Sequence, residues 1–169
     1  MSTIPLPTPP ADAADAGRIE DPNMPLKLLL ARERILQRFR PVLHDYGLTE
    51  QQWRIVRALL QTGPIEQRQL EELCGFSSAS LAGILARMQT QGWVVRERLA
   101  NDQRRVRVGV TAKSRALAAR IRPAITDTYR RIEARAGRER MAQLVRVLDE
   151  VIAALAEPAD GERVDQAGD

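Results

Sequence analysis

The 169-residue chain has one cysteine and one histidine. Cys74 has no internal partner for a disulfide, and with His44 as the sole imidazole there is no Cys/His cluster of zinc-binding spacing. The usual hydrolytic pairs of nucleophile and base would all have to share that histidine. The residues therefore argue against an enzyme, and neither a cofactor nor a metal is expected. Long apolar runs are missing as well: none spans a membrane, and no basic-then-apolar leader opens the chain. A cytoplasmic protein without a membrane partner is the expectation.

Lysine is nearly absent too. Lys27 and Lys113 stand among 26 basic residues, so nearly all the positive charge is arginine. The planar guanidinium suits phosphates and base edges, although the codon usage of a GC-rich genome also favours arginine. The net charge of +4 understates the middle of the chain. Residues 1–24 carry one arginine against four acids and residues 157–169 one arginine against five acids, which leaves eleven net positive charges on residues 25–156. Both ends are rich in Ala, Asp, Glu, Pro or Gly and poor in bulky apolar residues, as expected of disordered tails.

Between them the pattern is mainly helical. Leu28, Leu29, Ile35, Leu36, Phe39, Val42 and Leu43 predict a helix from Leu26 to about Tyr46, kinked at Pro41. Thr49 with Gln52 is a capping-box signature for a second helix through Leu60. A short third helix over 66–74 is expected to carry Leu70, Leu73 and Cys74 inward. Ser77 then suits the N-cap of a fourth helix, whose Leu81, Ile84, Leu85 and Met88 form one buried stripe. Its opposite face holds Ala79, Ala82, Gly83, Ala86 and Thr90, where a surface helix normally displays long charged groups. The stretches 93–98 and 105–110 read as strands, with Val106, Val108 and Val110 on one face and Arg105 and Arg107 on the other. Thr111 caps a long helix toward Ala136, interrupted at Pro123, and a last helix from Arg138 to Leu155 keeps a heptad-like apolar stripe.

Two helices, a tight turn and a β-hairpin make a winged helix-turn-helix: mainly α, with a small β-hairpin wing and a helical dimerisation region. Small outward residues let a recognition helix come close to the floor of a major groove. Gly83 costs about 1 kcal/mol relative to Ala inside a helix, and either close approach to DNA or tight packing on a neighbouring helix explains it. Ser77, Ser78 and Ser80, with Ala79, lie at the helix N-terminus, where free amides favour phosphate. Arg87 is placed for a guanine edge or a phosphate, or is a solvated charge. At the hairpin tip an arginine can enter a narrow minor groove, and Asp102 is positioned to cap the turn and orient the guanidinium of Arg104, with Arg105 beside it.

The stretches LTEQQWRIVRALL (48–60), LCGFSSASLAGILARMQTQGWVVRE (73–97) and NDQRRVRVGVT (101–111) resemble the MarR family of bacterial transcription regulators. The resemblance covers about residues 25–155, and its most specific element is the Asp-x-Arg wing motif at Asp102 and Arg104, which implies that Arg104 is the minor-groove arginine. Ala31-Arg32-Glu33, Phe39-Arg40-Pro41 and Leu48 to Arg57 are similar to the homoprotocatechuate-operon repressor type of that family, which implies an aromatic-acid-responsive repressor of a catabolic operon. The chain departs from the pattern at Ser114, where glycine is usual.

From these readings follow a DNA-binding lobe over 49–111 and dimerisation helices over 25–46 and 112–156. The expected partners are a double-stranded, pseudo-palindromic DNA operator, a second copy of the chain and a small aromatic carboxylic acid. Leu26, Leu28 and Leu29, with the stripe from Leu144 to Leu155, supply the dimer surface. Arg32, Arg40, His44, Tyr46 and Trp53 are the candidates for the acid. Two other readings compete: a winged-helix module that binds protein, disfavoured by the basic middle, and a redox switch on Cys74, disfavoured by its inward position.

Overall fold

The computed structural model describes residues 23–99 and 102–156; for Leu99 and residues 102–104 it describes the backbone alone. Both terminal tails of the sequence reading lie outside the described residues, apart from Asn23 and Met24. Contacts divide the chain into one unit ending at Arg34 and a second beginning at Ile35.

The element order is α1 (Met24–Asp45), α2 (Glu50–Thr62), β1 (Ile65–Glu66), α3 (Gln67–Cys74), α4 (Ser78–Thr90), β2 (Val94–Leu99), β3 (Asp102–Val110), α5 (Ala112–Ala136) and α6 (Arg138–Ala154). Helix α1 starts two residues before the predicted Leu26, because Asn23 caps it: its Oδ1 accepts the Leu26 amide at 3.3 Å. In the first unit Met24, Leu26, Leu28, Leu29 and Leu30 are all exposed.

The second unit holds two apolar cores. One gathers Ile55, Val56, Leu59, Leu70, Cys74, Leu81, Ile84, Leu85, Met88, Val94, Val108 and Val110. The other packs Phe39, Leu43 and Leu48 against Leu117, Ile121 and Ile125 of α5. Half-buried Trp53 and Trp93 pack against both. The α2 capping box forms in full: Thr49 Oγ1 accepts the Gln52 amide at 3.2 Å, and Gln52 Oε1 accepts the Thr49 amide at 2.9 Å.

Three expectations need correction. Glu66 caps the third helix instead of entering it, and with Ile65 forms a short strand antiparallel to β3 with Ile65 opposite Val108, so the sheet has three strands in the order β1-β3-β2. Leu73 does not point inward and is 57% exposed, while Leu70 and Cys74 are buried. Those two lie four residues apart on one narrow stripe, and a short helix against one core seats no second row. Pro123 does not interrupt α5, which runs unbroken from Ala112 to Ala136. The missing amide removes one backbone bond, and buried Ile121 and Ile125 on either side hold the helix in place. Helix α1 likewise continues through Pro41.

Helix α6 has no buried residue, and Val145, Val147, Val151, Ile152 and Leu155 stand exposed along it. Among the described residues no helix is long and apolar enough to cross a membrane.

Candidate nucleic-acid interface

Gly75 ends α3 in the left-handed region, φ 64°, where a residue without Cβ is favoured. The chain then turns to Ser77, whose side chain caps α4 by accepting the Ser80 amide. Leu81, Ile84, Leu85 and Met88 are each at most 4% exposed, so the opposite face is fixed outward. There Ser78, Ala79, Ser80, Gly83, Ala86, Arg87 and Thr90 are exposed, and Ala82 is half-buried. A Cβ built on Gly83 meets only Arg87 Nη1, at 3.8 Å. Tight packing on a neighbouring helix of this chain is therefore not what the glycine serves.

Two hydroxyls on this face are already engaged. Thr90 Oγ1 donates to the Ala86 carbonyl at 3.1 Å, and Ser78 Oγ donates to Glu71 Oε2 at 2.5 Å. Helix α4 thus presents a low, short-chained face with Arg87 as its long cation.

Strands β2 and β3 pair antiparallel from Val94 opposite Val110 to Leu99 opposite Asp102, with an irregularity of register at Arg98/Leu99. Val108 and Val110 are buried beneath the sheet. The proposed orientation of Arg104 by Asp102 falls on side chains outside the described residues. Arg105 turns back toward the body of the lobe: its Nε donates to Glu66 Oε2 at 2.9 Å, with a second contact from Nη2 to Glu66 Oε1. That contact was not legible in the sequence, because the partners are 39 residues apart.

The five candidates for an acid have separate surroundings. Arg32 is exposed in the first unit. In the second unit Arg40 lies 3.8 Å from Glu50, and His44 is exposed in the last turn of α1. Tyr46 donates its hydroxyl to the Arg120 carbonyl at 3.3 Å, and the Arg120 guanidinium sits 5.9 Å from its ring. Trp53 bridges the two cores. One residue that the sequence reading passed over stands out. Arg57, one turn beyond Trp53, donates from Nη1 to the Tyr129 hydroxyl at 2.9 Å, and the Tyr129 ring meets Phe39 edge-on at 4.9 Å. Trp53 and Arg57 thus lie one turn apart on α2, and Arg57 joins α2 to the phenol on α5. The i, i+4 spacing within WRIVR was its signal.

Cys74 is 5% exposed. Burial raises its thiol pKa, and nearby Arg54 opposes that only in part. A protonated, buried thiol is a poor redox sensor. Ser114, the departure from the resemblance, is fully buried and donates its hydroxyl to the Trp93 carbonyl. The side chain that replaces glycine is thereby satisfied and ties α5 to the turn between α4 and β2.

A model of the MarR family matches residues 46–105. The homoprotocatechuate degradative operon repressor of Escherichia coli is 40% identical over 131 residues, covering 78% of this chain and 88% of the relative. The HTH-type transcriptional regulator FarR of Neisseria gonorrhoeae is 38% identical over 124 residues, covering 73% and 85%. Among solved structures, NadR in complex with 4-hydroxyphenylacetate superposes with a TM-score of 0.70 at 36% identity, covering 80% of this chain and 96% of that one. With a winged helix-turn-helix in place and relatives of this identity covered over most of their length, the chain belongs to the MarR family of transcriptional regulators.

Proposed function

We propose that the protein is a dimeric, cytoplasmic repressor that binds a pseudo-palindromic operator and releases it when a small aromatic carboxylic acid binds. The observation that carries this reading is α4, whose buried stripe aims a face of small residues and Arg87 outward. In it, residues 49–111 form the DNA-binding lobe, with Ser77, Ser78, Ala79, Ser80, Gly83, Arg87 and Thr90 at the major groove and Arg104, oriented by Asp102, in the minor groove. Ser78 sits there as part of the helix surface, its hydroxyl proton being spent on Glu71.

Two half-sites about 34 Å apart need two lobes. The exposed apolar residues at the start of α1 and along α6 are the surface that a second copy would cover, which makes 25–46 and 112–156 the dimerisation helices.

For the effector, an aromatic acid needs a cation to take its carboxylate and a ring to stack on. Trp53 and Arg57, one turn apart on α2, and the Tyr129 hydroxyl that Arg57 contacts are our candidates for both. Arg40 is a further cation for the site, and His44 and Tyr46 further hydroxyl partners. Support also comes from relatives whose names and ligand fit an aromatic-acid response: the homoprotocatechuate operon repressor, and NadR with 4-hydroxyphenylacetate. Release follows if the acid binds a misplaced-helix state better, by that difference in affinity and no more.

The test is fluorescence anisotropy of the purified protein on labelled DNA from its own upstream region, titrated with hydroxyphenylacetate, homoprotocatechuate and hydroxynicotinate. Sequence-preferring binding that falls steeply with salt, weakens on Arg104→Ala and is released by one acid is expected. Binding without sequence preference or salt dependence would remove the repressor reading.

A further inference from the structure

Helix α3 stands between the recognition helix and the wing, and its polar side chains reach both. Toward α4, Glu71 accepts the Ser78 hydroxyl at 2.5 Å through Oε2 and Gln67 Nε2 at 3.2 Å through Oε1. Toward the wing, Gln67 Oε1 accepts from Nη2 of Arg96 on β2 at 3.1 Å. One residue earlier, Glu66 holds the guanidinium of Arg105 on β3 through both carboxylate oxygens. Glu66, Gln67, Glu71, Arg96 and Arg105 line a single recess of about 580 Å³. A continuous hydrogen-bond chain therefore runs from the first turn of the recognition helix through α3 to one wing strand, and a bidentate ion pair ties Glu66, the N-cap of α3, to the other.

The commitment of Arg105 matters because the sequence offered it as a DNA contact. A guanidinium held bidentately by a carboxylate is fixed in direction, and its charge is compensated. Glu66 lies in β1 opposite Arg107, and the wing tip at Asp102 is five residues further along β3. At strand rise that is roughly 17 Å, so about 10° of slack at the base would move the tip by about 3 Å. That displacement is enough to take a tip arginine out of a minor groove about 6 Å wide.

We infer that Glu66 and Arg105 form a positioning strut: through Glu66 on one side and the Gln67–Glu71–Ser78 chain on the other, α3 sets the wing's placement relative to the recognition helix. Arg105 then serves the operator by holding the wing and not by touching DNA. This rests on the DNA-binding reading above. It makes a prediction opposite in sign to plain electrostatics: removing an acid from a DNA-facing lobe ordinarily tightens binding by relieving phosphate repulsion, whereas losing the strut weakens it.

The experiment measures operator affinity by anisotropy over a salt series for the full chain, Glu66→Ala, Arg105→Ala, their double variant, and Glu66→Ala combined with Arg104→Ala. Glu66→Gln, which keeps an acceptor for Arg105, is the conservative comparison. Amide exchange of β3 without DNA reports the strut directly. The strut predicts that both single variants bind roughly tenfold more weakly, that the double variant is no worse than either, and that Glu66→Ala costs little more once Arg104 is gone. It also predicts the same salt slope for Glu66→Ala and Arg105→Ala, faster β3 exchange in both single variants, and partial recovery in Glu66→Gln. Tighter binding by Glu66→Ala would overturn the inference, as would a salt slope reduced by about one in Arg105→Ala but not in Glu66→Ala, the mark of a lost phosphate contact. Full retention of the Glu66→Ala loss in the Arg104→Ala background would also overturn it. Absence of operator preference in the unaltered chain would instead overturn the DNA reading, and the inference with it.

Discussion

Gly83→Ala separates stability from function on a single methyl group. Gly83 is exposed in the interior of α4 with ordinary helical backbone, since it is not among the residues of positive φ. A Cβ there makes only a van der Waals contact, 3.8 Å from Arg87 Nη1. Nothing in the subunit resists the methyl, so the helix-propensity gain of about 0.5–1 kcal/mol is realised in full. For a chain of this size that raises the melting temperature by about 1–4 °C. On DNA the same methyl stands where the helix approaches the groove. An overpacked contact costs about 1–3 kcal/mol, which is roughly 5- to 150-fold in operator affinity. The expected result is therefore a variant that is more stable and binds less well. Urea denaturation and operator anisotropy on the same preparation measure the two effects. A destabilised variant would show that Gly83 packs against something, and unchanged affinity would show that the helix does not come close to DNA at this residue.

Four further outcomes follow from the geometry. Arg57→Ala removes a charge-assisted partner for an acid, so effector release should need tenfold or more acid while operator affinity in its absence stays within about twofold; titration of release checks both. Ser114→Ala deletes a buried, satisfied hydroxyl and should cost about 1 kcal/mol in urea denaturation, without the large affinity loss expected of a DNA contact. Cys74 should react slowly with iodoacetamide in the native protein and rapidly in denaturant, because burial both shields the thiol and raises its pKa; fast native labelling would reopen a redox role. Hydrogen bonding from Arg105 lowers the Glu66 pKa below 4.5. The stabilising effect of the pair is therefore present above 4.5 and lost as pH falls through the lower folded value. Carbon-detected NMR titration of the Glu66 carboxyl should find a midpoint below 4.5 that Arg105→Ala moves back up.

Much of the fold was legible because it depends on neighbours a few residues apart. The stripe at Leu81, Ile84, Leu85 and Met88, the Thr49–Gln52 capping box, the Ser77 cap and the alternation of Val106, Val108 and Val110 are all local periodicities, and the structure places each as read. The same locality defines the outward face of α4, since fixing a buried stripe fixes its opposite. Strand β1 escaped because two residues carry no period; it exists because β3 has a second edge to pair. Leu73 was misplaced because a short helix does not reveal how wide a core it meets. Pro123 was misread because a local rule about proline does not weigh the buried isoleucines on either side. The pairs that shape the site, Arg105 with Glu66 and Arg57 with Tyr129, join residues 39 and 72 positions apart. Local residue pattern determined a basic, mainly helical chain with a winged lobe, because backbone geometry and burial act over one or two turns. Which guanidinium meets which carboxylate or phenol was decided by the tertiary structure alone, since only packing brings distant segments within the 3 Å that a hydrogen bond requires.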